Sequence, residues 1–186
     1  MKILESSVYP SPIGDMQVVT AQDKLCYLDF ADNKARMHQL LKRRFGGYKI
    51  VENAKHQQMH AMLDKYFEGK SDAFQKLELD TGGTDFQRKV WNALQKIPRG
   101  KTMDYSTLAK HSGNEKAVRA AASSNARNPV SIVIPCHRVI GKDGSLRGYA
   151  GGEHRKRWLL EHEGAIVDST SQIESAVKNR LLPASS

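Results

Sequence analysis

Cysteine is scarce: the 186 residues hold two, Cys26 and Cys136. That is too few for a disulfide framework or a four-cysteine zinc site, and an extracellular scaffold would carry more, so a reducing, cytoplasmic setting is expected. Long apolar runs are missing as well. Glu5, Ser6 and Ser7 break the stretch from Met1 to Tyr9, which leaves no signal-peptide core, and no segment approaches the length of a membrane span. A soluble, unprocessed chain without a membrane partner is expected. Acidic residues are in deficit: 20 Asp and Glu face 29 Lys and Arg, a formal charge of +9. Such a surplus suits a polyanionic partner held partly by counterion release, although many basic proteins bind no nucleic acid. Placement argues for it, because Arg88, Lys89, Lys96, Arg99, Lys101, Lys110, Lys116, Arg119 and Arg127 lie in the stretch leading up to Cys136.

With 39% hydrophobic residues the chain can bury a core without metal or disulfide. Thr81-Gly82-Gly83 is a turn-forming join between halves of unlike texture. It predicts a small-sheet and helix domain over 1–80, a second domain over 84–164 and a tail over 165–186. The expected fold class is α+β: an α/β first half around a small antiparallel sheet, then a mostly helical half with a helix-turn-helix. Ile13 to Thr20 and Leu25 to Phe30 are rich in β-formers, punctuated by Ser11-Pro12-Ile13-Gly14 and Gln22-Asp23-Lys24. Asn33 is placed to cap a helix through Phe45, with Met37, Leu40, Leu41 and Phe45 on one face and Gly46-Gly47 as its stop. A second helix is expected from His56 to Phe67, with Met59, Met62, Leu63, Tyr66 and Phe67 at core spacing. His56 and His60 stand one turn apart, as a metal pair would, but no third ligand accompanies them. Solvated histidines and no metal site are expected. In the tail, Ile173, Val177 and Leu181 share helical spacing, yet a frayed terminus is the simpler expectation.

Thr84-Asp85-Phe86-Gln87 has the form of a capping box before the apolar stripe Phe86, Val90, Trp91 and Leu94, and Pro98-Arg99-Gly100 stops that helix. Asp104 can cap a short helix through Tyr105, Leu108 and Ala109. His111-Ser112-Gly113-Asn114 then turns into a helix expected from Glu115 to about Ser124. Val118, Ala121, Ala122 and Asn125 fall on one face of it. Lys116, Arg119, Ala120, Ser123 and Arg127 fall on the other, where small Ala120 and Ser123 would admit a phosphate chain close to the backbone. A DNA surface and an ordinary solvated basic face fit that periodicity equally well.

Chemistry is most concentrated at Ile132-Val133-Ile134-Pro135-Cys136-His137-Arg138-Val139, where, after Asn128-Pro129-Val130-Ser131, an apolar strand to Ile134 is expected to end at a proline. A free thiol is only a few per cent ionised near neutral pH, so a nucleophilic cysteine needs a base or positive field beside it; His137 and Arg138 supply both. A lone cysteine at a strand end is more commonly just buried. Beyond it, Gly141-Lys142-Asp143-Gly144 forms a turn. Gly148-Tyr149-Ala150-Gly151-Gly152 is a glycine-rich loop able to close over a planar ligand. A last helix from Glu153 to Glu163 is expected to bury Trp158 and Leu159, with His162 beside them.

Taken in order, Asn128-Pro129, Pro135-Cys136-His137-Arg138-Val139, Gly148-Tyr149-Ala150-Gly151-Gly152 and Trp158-Leu159-Leu160-Glu161-His162-Glu163-Gly164 resemble the O6-alkylguanine-DNA alkyltransferases, also called methylated-DNA-protein-cysteine methyltransferases. The resemblance is close over 84–164 and loose before it, and points to the constitutive bacterial single-polypeptide type. It implies direct-reversal DNA repair: Cys136 takes the alkyl group from O6 of guanine, and from O4 of thymine, once and irreversibly. It further implies that His137 is the base, that Glu163 orients it, and that Tyr105 hydrogen-bonds the flipped base. Val139, Tyr149, Ala150 and Gly151 would form the base pocket, and Asn128 the hinge. Arg119 would enter the base stack, with Lys116, Ala120, Ser123 and Arg127 along the DNA. The implied partner is double-stranded DNA containing O6-alkylguanine, met by a monomer with no cofactor and no metal. Ser131 and Ala150 depart from some relatives, which carry proline and serine there.

Overall fold

The computed structural model describes residues 1–52, 56–70 and 72–165. Strands β1 (Lys2–Ser11), β2 (Gly14–Ala21) and β3 (Lys24–Phe30) form a meander, helix α1 (Lys34–Phe45) follows, and β4 (Tyr48–Glu52) returns beside β1. The sheet order is β3-β2-β1-β4. Its β1–β2 and β2–β3 pairs are antiparallel and its β1–β4 pair is parallel, so the sheet is mixed where an antiparallel one was expected. Alternation along β2 divides its side chains between two layers. Val19 and Ala21 pack with Met37 and Leu41 of α1, whereas Met16 and Val18 face the helical half. Two strands escaped the sequence reading for the same reason. Ser6 of β1 is buried and β4 is a half-buried edge, so neither carries a simple apolar alternation.

The chain continues through α2 (Gln57–Phe67), α3 (Asp85–Gln95), the short strand β5 (Met103–Asp104), α4 (Tyr105–His111) and α5 (Val118–Ala126). A 3-10 turn (Cys136–Arg138), strand β6 (Val139–Ile140) and α6 (Glu153–His162) complete the described fold. The fold class is α+β, as expected. Both hydrogen bonds of the Thr84–Gln87 capping box form, and the Asp104 carboxylate accepts from the Thr107 amide at 2.8 Å. Gly83, at φ 84°, leads into α3 where a Cβ would lie 2.6 Å from the Trp91 ring; no other residue allows that approach. Met16, Val18 and Phe30 of the sheet, Met59 and Leu63 of α2, and Val90, Trp91 and Leu94 of α3 belong to one continuous core, so the two halves fold against each other.

Three further expectations change. The segment 128–134 is not a strand: Ile132 adopts φ 72°, and local bonds from the Val133 amide to Ser131 and from the Ile134 amide to Val130 coil it into turns. The last helix of the helix-turn-helix begins at Val118, three residues later than Glu115; Asn114 instead accepts from the Lys116 amide and caps only a turn. His56 is buried rather than solvated, and His60 is half-buried. His56 is 8% exposed, with Nδ1 2.8 Å from the Ser7 hydroxyl and Nε2 3.0 Å from the Thr20 hydroxyl, and His60 meets the other side of Ser7 at 2.9 Å. The tail spacing of Ile173, Val177 and Leu181 lies outside the described residues.

Arg36 ties α1 to the helical half. It pairs with buried Asp29 at 2.5 Å and donates to the carbonyls of Ala126 and Asn128 at 2.8 and 2.9 Å. Burial raises the Asp29 carboxyl above its ordinary range even with Arg36 beside it, so removing the arginine leaves the carboxyl to carry an unpaired buried charge or to take up a proton, either at a cost. Arg36→Met should cost about 3 kcal/mol in urea unfolding. The double variant Arg36→Met, Asp29→Asn should recover part of that loss; equal midpoints for single and double variants would contradict that account.

Candidate active site

Cys136 opens the 3-10 turn at the end of the coiled 128–134 segment, 6% exposed. Asn128, fully buried, holds that segment from inside: its side-chain amide donates to the Ile134 carbonyl at 2.7 Å and its oxygen accepts from the Val130 amide at 2.9 Å. Burial pushes the Cys136 thiol up, and a hydrogen bond from Asn128 opposes that shift. A thiol in this setting is protonated at rest, so a nucleophilic role would require a base beside it. No strand directly precedes Pro135 to be departed from, because turns begin already at Val130.

A candidate base stands at the next residue. His137 is fully buried; its Nε2 lies 2.8 Å from Oε1 of Glu163, and its Nδ1 is buried with no partner among the described residues. Glu163 caps the C-terminus of α6, which brings it back across the 3-10 turn. Burial works against its charge. Hydrogen bonds from His137 and Arg138 nevertheless hold its carboxyl far below the usual carboxylate range. Arg138 donates through Nε to Oε2 at 2.8 Å and through a second nitrogen to Oε1 at 3.0 Å. An ionised Glu163 can only accept, so Nε2 of His137 must carry the hydrogen and Nδ1 a bare lone pair. Desolvation lowers the imidazole's pKa below its ordinary value, which keeps it neutral and available as a base.

Residues missed by the sequence reading complete the surroundings. Tyr66 of α2 donates to Oε1 of Glu163 at 2.8 Å, and nothing but its place in an apolar stripe marked it. Lys156 is 1% exposed and its ammonium donates to the Val139 carbonyl at 2.5 Å; burial lowers its pKa to about 8. Its signal was legible: a lysine three and four residues before buried Leu159 and Leu160 must lie on their face. Tyr105, at the start of α4, and Tyr149 also lie near the sulfur, close enough for the charge of a Cys136 thiolate to reach both. Val139 is fully buried, whereas Ala150 is exposed. Gly151 sits between rings, where a Cβ would lie 2.8 Å from Tyr149 and 2.9 Å from Phe30.

Lys116, Arg119, Ala120, Ser123 and Arg127 are all exposed, while Ala121, Ser124 and Asn125 are buried. Lys116 precedes α5, and Arg127 is its C-cap. The exposed strip therefore runs the length of the helix and beyond it at both ends. No group of three side chains among the described residues could hold a metal, and no helix among them is long and apolar enough to cross a membrane.

Comparison with known proteins covers both halves. The family profile described as 6-O-methylguanine DNA methyltransferase, DNA binding domain, matches residues 85–165; that described as 6-O-methylguanine DNA methyltransferase, ribonuclease-like domain, matches residues 4–81. A methylated-DNA-protein-cysteine methyltransferase of Salmonella typhimurium is 43% identical over 170 residues, spanning 90% of this chain and 99% of that protein. The crystal structure of Mycobacterium tuberculosis O6-methylguanine methyltransferase is 34% identical, with TM-score 0.72 over 91% of this chain and 98% of that one. The Mycobacterium tuberculosis protein in complex with DNA gives the same identity and TM-score. With both halves matched and relatives aligned almost end to end, the chain belongs to the 6-O-methylguanine DNA methyltransferase family.

Proposed function

We propose that the protein repairs alkylated DNA directly, moving an alkyl group from O6 of guanine, and from O4 of thymine, onto its own Cys136. The observation that carries this reading is the bare Nδ1 of His137, buried one residue from a buried thiol and held in that tautomer by ionised Glu163. His137 takes the Cys136 proton, directly or through one water, and the sulfur attacks the alkyl carbon. The sulfur–carbon bond forms as the carbon–O6 bond breaks; the electron pair leaves on guanine, which picks up a proton. No electron is exchanged with another group, so the balance closes without a cofactor. The thioether is not hydrolysed, and each molecule acts once.

Charge developing on O6 calls for donors aimed at it. The Tyr105 hydroxyl and the Ala150 amide take that role, with the Tyr149 ring as a wall and the Cys136 and Val139 carbonyls accepting from the exocyclic amine. Lys156 then steadies the Val139 carbonyl. The lesion must leave the duplex to reach a thiol this deeply buried. Arg119 fills the space left behind, while Lys116, Ala120, Ser123 and Arg127 meet phosphate and sugar, giving affinity with little sequence information. Asn128 is the hinge between this surface and the sulfur. The chain acts as a monomer, the 84–164 unit carrying the acceptor and the DNA surface.

Incubation with an oligonucleotide containing O6-methylguanine should add one methyl per chain, on the peptide holding Cys136. Cys136→Ala should bind the duplex and gain nothing; an unchanged mass of the native protein despite binding would overturn the reading. Arg119→Ala should slow transfer from duplex by roughly tenfold or more while leaving the free base within about twofold. Neutral His137 is the reactive form and its folded pKa is lowered. The rate should therefore hold steady as pH falls through the ordinary histidine value and decline only at more acid pH, read from single-turnover rates.

A further inference from the structure

We propose that Tyr66, a residue of the first half, is a positioning residue for alkyl transfer: by sharing Oε1 of Glu163 with His137, its hydroxyl sets how strongly that carboxylate draws the imidazole proton. The proposal rests on the function proposed above and adds a residue to it. The geometry is direct. Tyr66 is 3% exposed, and its hydroxyl and Nε2 of His137 both lie 2.8 Å from the same carboxylate oxygen. Oε1 accepts a third bond, from Arg138 at 3.0 Å. Every donor added to that oxygen spreads its charge and weakens its pull on the histidine. Buried ionic groups make such sharing consequential, since no water competes for the oxygen.

Other charged groups are arranged so that Tyr66 is the adjustable member. Arg138 is anchored elsewhere by the Ile97 carbonyl at 2.6 Å, and Lys156, which disfavours a charged His137, is anchored by Val139. Arg99 lies 5.3 Å over the Tyr66 ring and touches no oxygen of Glu163. The ring itself is fixed by packing: it stacks on Phe74 and meets His162 edge-on. Removing only the hydroxyl therefore leaves the ring in place. A tyrosine that merely filled the core would be indifferent to that change as far as His137 is concerned.

The sign follows from the charge. Without the hydroxyl, Oε1 is more negative, the imidazolium is better stabilised, and His137 becomes protonated at higher pH. Tyr66→Phe should still methylate Cys136, with the acid limb of its single-turnover pH–rate profile moved up by about half to one pH unit. Tyr66→fluorotyrosine keeps the shape and strengthens the donor, so its limb should move down. Nitrogen-15 shifts of the His137 ring, titrated in all three proteins, read the same midpoint without turnover. Superposable profiles and midpoints overturn the role of Tyr66 while the native protein still transfers methyl; a native protein that fails to transfer overturns the function instead.

Discussion

The carboxylate of Glu163 has no exposed surface and yet stays charged, and the rest of the site follows from that. A buried anion is tolerable only when its lone pairs are occupied by donors, preferably charged ones. Here the donors come from separate pieces of chain: Tyr66 on α2, and His137 and Arg138 on the 3-10 turn. Satisfying Glu163 thus draws the end of α6, the turn carrying Cys136 and the first half of the molecule to one point. It also leaves His137 a single proton-accepting nitrogen, turned away from the carboxylate.

A second buried pair performs the corresponding task on the other side of Asn128. Asp29 leaves β3 into the core and Arg36 meets it, while the arginine's other terminal nitrogen reaches the backbone at the end of α5, donating to the carbonyls of Ala126 and Asn128. Asn128 carries the connection on to Ile134 and the sulfur. The path from an exposed basic helix to a buried thiol is therefore a short chain of hydrogen bonds. Shared packing between sheet, α2 and α3 holds both ends of it. Under the proposed function this ensures that a duplex held on α5 lies at a set distance from Cys136.

Much of the site could be read before any coordinates. Cys136 and His137 are adjacent in sequence, the capping box announces α3, and Lys116, Arg119 and Ser123 recur at helical spacing, all of which are local properties. Local rules misled where tertiary contacts overrode them. Ile132-Val133-Ile134 has the composition of a strand, but Asn128 and its neighbours take those backbone groups into turns. His56 and His60 look like surface residues of a helix until Ser7 and Thr20 of the sheet close over them. Tyr66 and Lys156 went unnoticed because a stripe of core positions does not say what polar atom its far end will meet.

The sequence by itself determined the candidate reactive pair, the sign and location of the basic surface, the caps and the α+β class, because each depends on residue type and short-range spacing. The tertiary structure alone decided the tautomer of His137, the ionisation of Glu163 and the meeting of that carboxylate with Tyr66 from the other half of the chain. Those are consequences of burial and of a donor lying 97 residues from the carboxylate in sequence. The energy of a charge out of water is set by every group around it, and no stretch of sequence contains that list.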